Sequence, residues 1–235
     1  MILSLADINI EVAPKYSFIK ELAKDYTSKS DRVDFSVSVD DADIELEAEM
    51  SEGSFSKPYL ESIALYRKIA ERLPMYDAFV FHGAVVAYGG SAYAFTARSG
   101  VGKTTHIRLW HKLLGDAVHV LNGDKPILRM IDGTPYASGT PWRGKENYGV
   151  PGLLPLSSVG FISRAPSPSV KKITPAESMM RFVSQIYVPT TPREAARALS
   201  TLNKVISGVS LFDVYATMDI ESARLSFNAL TNKTI

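Results

Sequence analysis

The segment Ala97-Arg98-Ser99-Gly100-Val101-Gly102-Lys103-Thr104-Thr105 places two glycines, a lysine and two threonines between an apolar run, Ala92-Tyr93-Ala94-Phe95-Thr96, and a helical pattern continuing to Leu114. A strand, a small-residue loop, Lys-Thr and a helix in that order make a phosphate-binding loop. Backbone N–H groups from Arg98 to Thr104 would converge on phosphate oxygens, helped by the positive end of the helix. Lys103 would reach the β- and γ-phosphates, and the Thr104 hydroxyl would ligate Mg²⁺. The residues assigned to the nucleotide are therefore Ser99, Gly100, Val101, Gly102, Lys103, Thr104 and Thr105. The first position of the motif is Ala97 rather than glycine, which costs backbone freedom but no phosphate ligand. The plain alternative is a strand-to-helix turn with an exposed lysine; two glycines and an amphipathic helix in register argue against it.

A phosphate loop needs a carboxylate partner, because Mg²⁺ is a hard cation that takes oxygen ligands and offsets nucleotide charge. Asp124 is the next acidic residue at a predicted strand end, aimed by Val118, Val120 and Leu121; Thr104 and Asp124 are thus the metal-ligand candidates. Read locally, Asp124 is equally a turn residue after Asn122-Gly123. His82 ends an apolar run that should pair with the strand entering the loop, as a functional group or a hydrogen-bonded core histidine. Arg143 and Lys145 lie in a Gly-rich polar segment and would close over a transferred phosphate as charge-stabilising donors, or are plain surface charge. Trp142 and Tyr148 beside them are loop anchors or base-stacking groups. His106 and His111 are about 140° apart on a helix and cannot chelate one metal together. The acidic run Asp40-Asp41-Ala42-Asp43 reads as a solvated turn rather than a metal site.

These groups need a substantial core to hold them. The chain has 235 residues, 46% of them hydrophobic and 22% charged, an ordinary globular composition with room for one large domain and a small appendage. Lys and Arg number 26 against 25 Asp and Glu, so no global field recruits nucleic acid or an acidic membrane surface. Cysteine is absent, which excludes disulfides, thiolate zinc sites and cysteine nucleophiles and makes the cytoplasm the default setting. The N-terminal residues carry no basic leader, and no window of 18 uncharged apolar residues occurs.

In chain order, residues 1–55 alternate as strands around Ile8, Ile10 and Val12, around Val33, Phe35, Val37 and Val39, and over 44–48, with a short helix over 17–26. A helix over 58–72 follows, stopped at Leu73-Pro74. Residues 1–75 thus form a small β-rich region with a connecting helix, and 76–235 the nucleotide-binding domain. The apolar run 78–88 reaches Gly89-Gly90, a two-residue hairpin turn, so 85–88 and 92–96 should pair antiparallel. The helix after the loop stops at Gly115. A β meander over 117–136 is expected, turning at Asn122-Gly123 and Asp132-Gly133. A mobile loop over 139–149 and a strand over 157–163 come next. Thr174-Pro175-Ala176-Glu177 and Thr191-Pro192-Arg193-Glu194 start helices running to about 187 and 207. A strand near 212–216 and a helix over 220–230 close the chain.

With His82-Gly83, the hairpin, the loop and Asn122-Gly123-Asp124, the chain resembles the catalytic domain of HPr kinase/phosphorylase and, more remotely, phosphoenolpyruvate carboxykinase. The resemblance is carried by His82, 99–104 and Asp124, and covers about 79–130. It implies an α/β (α+β) fold of the carboxykinase-like kinase class, with a mixed or antiparallel sheet and flanking helices. It also implies ATP and Mg²⁺ as cofactors, Asp124 as general base toward an acceptor hydroxyl, and His82 supporting the phosphoryl site. The family pairs two aspartates where this chain has Gly123-Asp124, and its Pro-Gly-Arg-Asn docking loop has no counterpart here. Lys125-Pro126 and Gly139-Thr140-Pro141-Trp142 look more like stand-alone bacterial relatives, with small molecules or peptides as acceptors. The expected activity is γ-phosphoryl transfer from ATP to a hydroxyl of a small molecule or a peptide or protein serine. The alternative is a nucleotide-binding accessory or regulatory protein. Self-association into a homo-oligomer is left open.

Overall fold

In the computed structural model, which describes residues 1–98 and 100–235, β1 (Ile2–Leu5) and β2 (Ile8–Val12) form an antiparallel pair, and β3 (Phe35–Val37) lies parallel to β2. Ile8, Ile10 and Val12 face inward, as their alternation requires. Between β2 and β3 lie the short helix α1 (Phe18–Leu22) and a 3₁₀ turn over Lys24–Tyr26. The expected strand over 44–48 is instead helix α2 (Asp41–Met50). Five alternating residues also place Ile44 and Glu47 three apart on one helix face, and the acidic run decides the outcome. Asp40 accepts the Asp43 N–H at 2.9 Å while Asp43 accepts the Asp40 N–H at 2.9 Å, a capping box rather than a solvated turn. Helix α3 (Lys57–Arg72) then packs Leu60, Ala64, Leu65 and Ile69 into one core with the small sheet.

The main sheet is mixed and curled. It contains β4 (Ala78–Val80), β5 (Ala84–Tyr88), β6 (Ser91–Thr96), β7 (Val118–Asn122), β8 (Ile127–Ile131), β9 (Thr134–Ser138), β10 (Leu153–Arg164), β11 (Ser169–Ile173) and β12 (Ser210–Ala216). The order is β4-β8-β9-β10-β6-β5-β7, with β12 on the free side of β10 and β11 on β12. The long strand β10 turns the sheet: its first residues pair with β9, and after a register shift between Leu156 and Ser158 it runs parallel to β6 and β12. Helices α4 (Lys103–Leu114), α5 (Pro175–Val183), α6 (Pro192–Ser207) and α7 (Ile220–Thr231) flank it. Trp110 of α4, fully buried, packs on Phe95 and Phe227 and donates its indole N–H to Ser226 Oγ at 2.8 Å.

The Gly89-Gly90 hairpin forms as its residue types predict, with Tyr88 opposite Ser91. The run 78–88 is two strands rather than one. It breaks at Phe81-His82-Gly83, where a Cβ on Gly83 would sit 2.2 Å from the Phe81 ring, so His82 stands in the break and not at a strand end. The expected meander is only a hairpin of β8 and β9 around Asp132 and Gly133, at φ +47° and +78°, while β7 pairs with β5. Strand β11 has no forerunner in the sequence reading, and α5 stops at Val183 rather than near 187.

One consequence positions the site. Since β5 runs antiparallel to both β6 and β7, the start of β5 and the ends of β6 and β7 meet at the same sheet edge. His82-Gly83, the glycine-rich loop and Gly123-Asp124 leave from these three adjacent points.

Candidate functional site

Gly100 and Gly102 hold φ of +75° and +123°, conformations that favour glycine, and Gly102 caps α4 without any side-chain hydrogen bond. The first-turn N–H groups of α4 therefore point out of the helix toward the cleft, a favourable place for an anion. Gly100, Gly102, Lys103 and Thr104 line a cleft of about 1240 Å³. The Val101 side chain packs on the core beneath α4 and α7, Thr105 does not line the cleft, and Ser99 lies outside the described residues. Arg164, at the end of β10, donates to the carbonyls of Gly100 at 2.6 Å and Val101 at 2.9 Å. It thereby fixes the orientation of those two carbonyls.

Three basic side chains meet at Asp124. His82 Nε2 lies 3.4 Å and Lys103 Nζ 3.9 Å from Asp124 Oδ1, and Lys125 Nζ donates to Oδ2 at 2.8 Å. Burial alone would raise the Asp124 pKa, but the His82 contact and the ammonium groups of Lys125 and Lys103 outweigh it and hold the carboxyl well below the usual range. Burial lowers the Lys103 pKa, with the Asp124 charge opposing.

Each partner is fixed from behind. Asn122, completely buried, accepts the N–H groups of Asp124 at 2.8 Å and Lys125 at 2.7 Å. Its amide donates to the Thr140 carbonyl, Thr140 Oγ1 and the Trp142 carbonyl. Asn122-Gly123 is thus an Asx turn that aims Asp124, not a hairpin tip. His82 is held by its N–H to the Gln185 carbonyl at 2.6 Å, and its own carbonyl accepts from Thr96 Oγ1 at 3.0 Å, which also donates to Gln185 Oε1. In the sequence Asn122 stands out only as a turn and motif residue and Lys125 only through the resemblance, and neither Arg164 nor Gln185 stands out at all. Arg164 and Gln185 act across long sequence separations and leave no local signal.

The segment 139–149 is anchored at its start. Trp142 is buried, stacked on Tyr66 at 4.0 Å between ring centroids, and donates to the Ser62 carbonyl, so it is a loop anchor. Arg143 lines the cleft, and its guanidinium lies over the Tyr26 ring and 3.7 Å from Asp25, on the side of the N-terminal layer. Lys145 is exposed on the cleft wall. The loop beyond crosses the site, where Gly123 N–H donates to the Tyr148 carbonyl at 2.9 Å and Glu146 pairs with Arg108 of α4 at 2.8 Å. A Cβ on Gly123 would meet the Arg143 and Tyr148 carbonyls at 3.2 Å, and one on Gly144 would meet Asp124 Cβ at 2.7 Å. At its far end the cleft reaches Phe18, Phe55 and Tyr59, half-exposed rings in which Phe55 stacks on Tyr59 and Phe18 meets Tyr59 edge-on.

The Thr104 hydroxyl and the Asp124 carboxylate on the cleft wall are hard oxygen donors that could hold a metal, too few for a closed protein cage. Among the described residues no cluster of three or more His, Asp or Glu side chains could hold a metal unaided. Nor is any described helix long and apolar enough to cross a membrane.

No protein-family model matches the chain, and no curated protein sequence matches it. Among solved structures, it is similar to the Hpr(Ser) kinase/phosphatase from Coxiella burnetii at 9% identity and a TM-score of 0.37, over 65% of this chain and 93% of that one.

Proposed function

We propose that the chain is an ATP- and Mg²⁺-dependent kinase transferring the γ-phosphoryl group to a hydroxyl of a small molecule or a peptide or protein serine. The observation that carries this reading is the convergence of two groups on one carboxylate oxygen at one sheet edge, His82 Nε2 at 3.4 Å and Lys103 Nζ at 3.9 Å from Asp124 Oδ1, beside an uncapped helix start. Lys103 and the N–H groups of the loop hold the phosphates. Thr104 and Asp124 would hold Mg²⁺, which supplies charge neutralisation on the phosphates when bound. Asp124, ionised and fixed by the Asn122 turn, accepts the proton of the acceptor hydroxyl, and His82 orients it. The cleft exceeds the volume typical of a single small-ligand pocket, which leaves space for nucleotide and acceptor together.

Gly123 favours a second reading, a nucleotide-binding accessory or regulatory protein, because it leaves Asp124 without a neighbouring carboxylate. The distinguishing experiment supplies γ-labelled ATP with Mg²⁺ and panels of serine peptides and hydroxylated metabolites. Label on an acceptor, lost in Lys103→Ala and Asp124→Asn, supports the kinase; nucleotide binding with no transfer to any acceptor or to water supports the accessory protein.

A further inference from the structure

Resting on that phosphotransfer reading, we propose that Lys125 is a catalytic residue that contacts the transferring phosphoryl group, supplying charge at the place where position 123 offers no side chain. Its ammonium is at 2.8 Å from Asp124 Oδ2, the carboxylate oxygen other than the one Lys103 approaches at 3.9 Å. Two lysines flank one carboxylate, so the charge left over suits an anion.

The backbone of Lys125 is pinned more heavily than an incidental surface lysine requires. Its N–H donates to Asn122 Oδ1, and its carbonyl accepts from the Tyr66 hydroxyl at 2.7 Å and from Thr140 Oγ1 at 2.8 Å. Tyr66 is in turn locked by its stack on Trp142. The fixed base carries a flexible four-carbon stem whose half-exposed ammonium lines the cleft. The loop carbonyls that would meet a Cβ on Gly123 fill the flank of that residue, so no acidic side chain there competes with the phosphates for Lys125.

In the transfer step the acceptor oxygen bonds to the γ-phosphorus. The bond from that phosphorus to the bridging oxygen breaks, its electron pair leaves with the diphosphate, and the acceptor proton passes to Asp124. Lys125 swings from Oδ2 to a peripheral oxygen of the moving phosphoryl group and keeps all its protons.

The test compares affinities for β,γ-imido-ATP and ADP, both with Mg²⁺. Wild type should bind the triphosphate analogue more tightly than ADP. Lys125→Met should reduce that ratio about tenfold with ADP affinity within about twofold, and Lys125→Arg should restore most of it. In an Asp124→Asn background, where no carboxylate needs neutralising, Lys125→Met should still reduce the ratio about tenfold. An unchanged ratio in Lys125→Met overturns the proposal. So does a ratio that Lys125→Met no longer alters once Asp124 is Asn, which makes Lys125 only a counter-ion. A wild type that binds neither nucleotide defeats the phosphotransfer reading itself and the proposal with it.

Discussion

The side-chain carbonyl of Asn122 accepts the backbone N–H of Asp124 at 2.8 Å, from a position with no solvent exposure. The same carbonyl takes the Lys125 N–H, and the amide end ties Thr140 and Trp142 to the turn. Asn122→Ala leaves several buried backbone groups unpaired, each costing about 1–3 kcal/mol. Chemical denaturation should show a loss of about 3 kcal/mol.

Trp142→Ala removes a buried indole, its stack on Tyr66 and its bond to the Ser62 carbonyl. A large-to-small change at such a site costs about 3–5 kcal/mol. Limited proteolysis should then cut within 143–149 much faster than in wild type, because the anchor of that loop is gone.

Arg164→Ala should weaken ATP binding about tenfold while changing the melting temperature little, since Arg164 is exposed and its work is to orient the Gly100 and Val101 carbonyls. Arg164→Lys should recover only part of the affinity, because one ammonium does not reproduce a two-pronged contact. Isothermal titration with ATP checks both.

His106 gives the fold a pH dependence. It is buried at the start of α4, edge-on to Phe95, its Nε2 paired with Ser226 Oγ at 2.9 Å and its Nδ1 without a partner, and burial lowers its pKa to about 4. The unfolded chain therefore binds this proton more readily than the folded one. The stability from a neutral His106 is fully present above pH 6.5 and is lost as pH falls toward 4. Its share of the loss between pH 7.5 and pH 5 should be about 2 kcal/mol, and His106→Gln should remove that share.

What the sequence shows of this molecule follows the range of its interactions. The Gly89-Gly90 hairpin, the Gly115 stop of α4 and the Thr-Pro-x-Glu helix starts are decided within a few residues, and they form where predicted. Residues 44–48 mislead because five alternating residues fit either period, and the capping partners lie just outside the run. Asn122-Gly123 misleads more instructively: the pair has hairpin chemistry, but the Asn side chain is consumed by Thr140 and Trp142, about twenty residues on. Lys103, His82 and Asp124 are visible as candidates by residue type, and the fold gathers them at one sheet edge. Arg164 and Gln185 are not visible in this way, since an arginine at a strand end and a glutamine after a helix acquire meaning only when β10 and the 184–187 segment are brought beside the loop and His82. Arg143, a cation in a polar loop, has a tyrosine ring in the N-terminal layer as a partner.

Asp124 as the group that takes the proton of a phosphoryl acceptor is tested most directly by Asp124→Asn, which changes the shape of the site least. ADP formation from ATP and Mg²⁺ by the purified chain should fall by a factor on the order of 10² to 10⁴ in the variant, with ATP affinity within about threefold of wild type. Equal rates in the two proteins, at equal ATP affinity, would contradict that role.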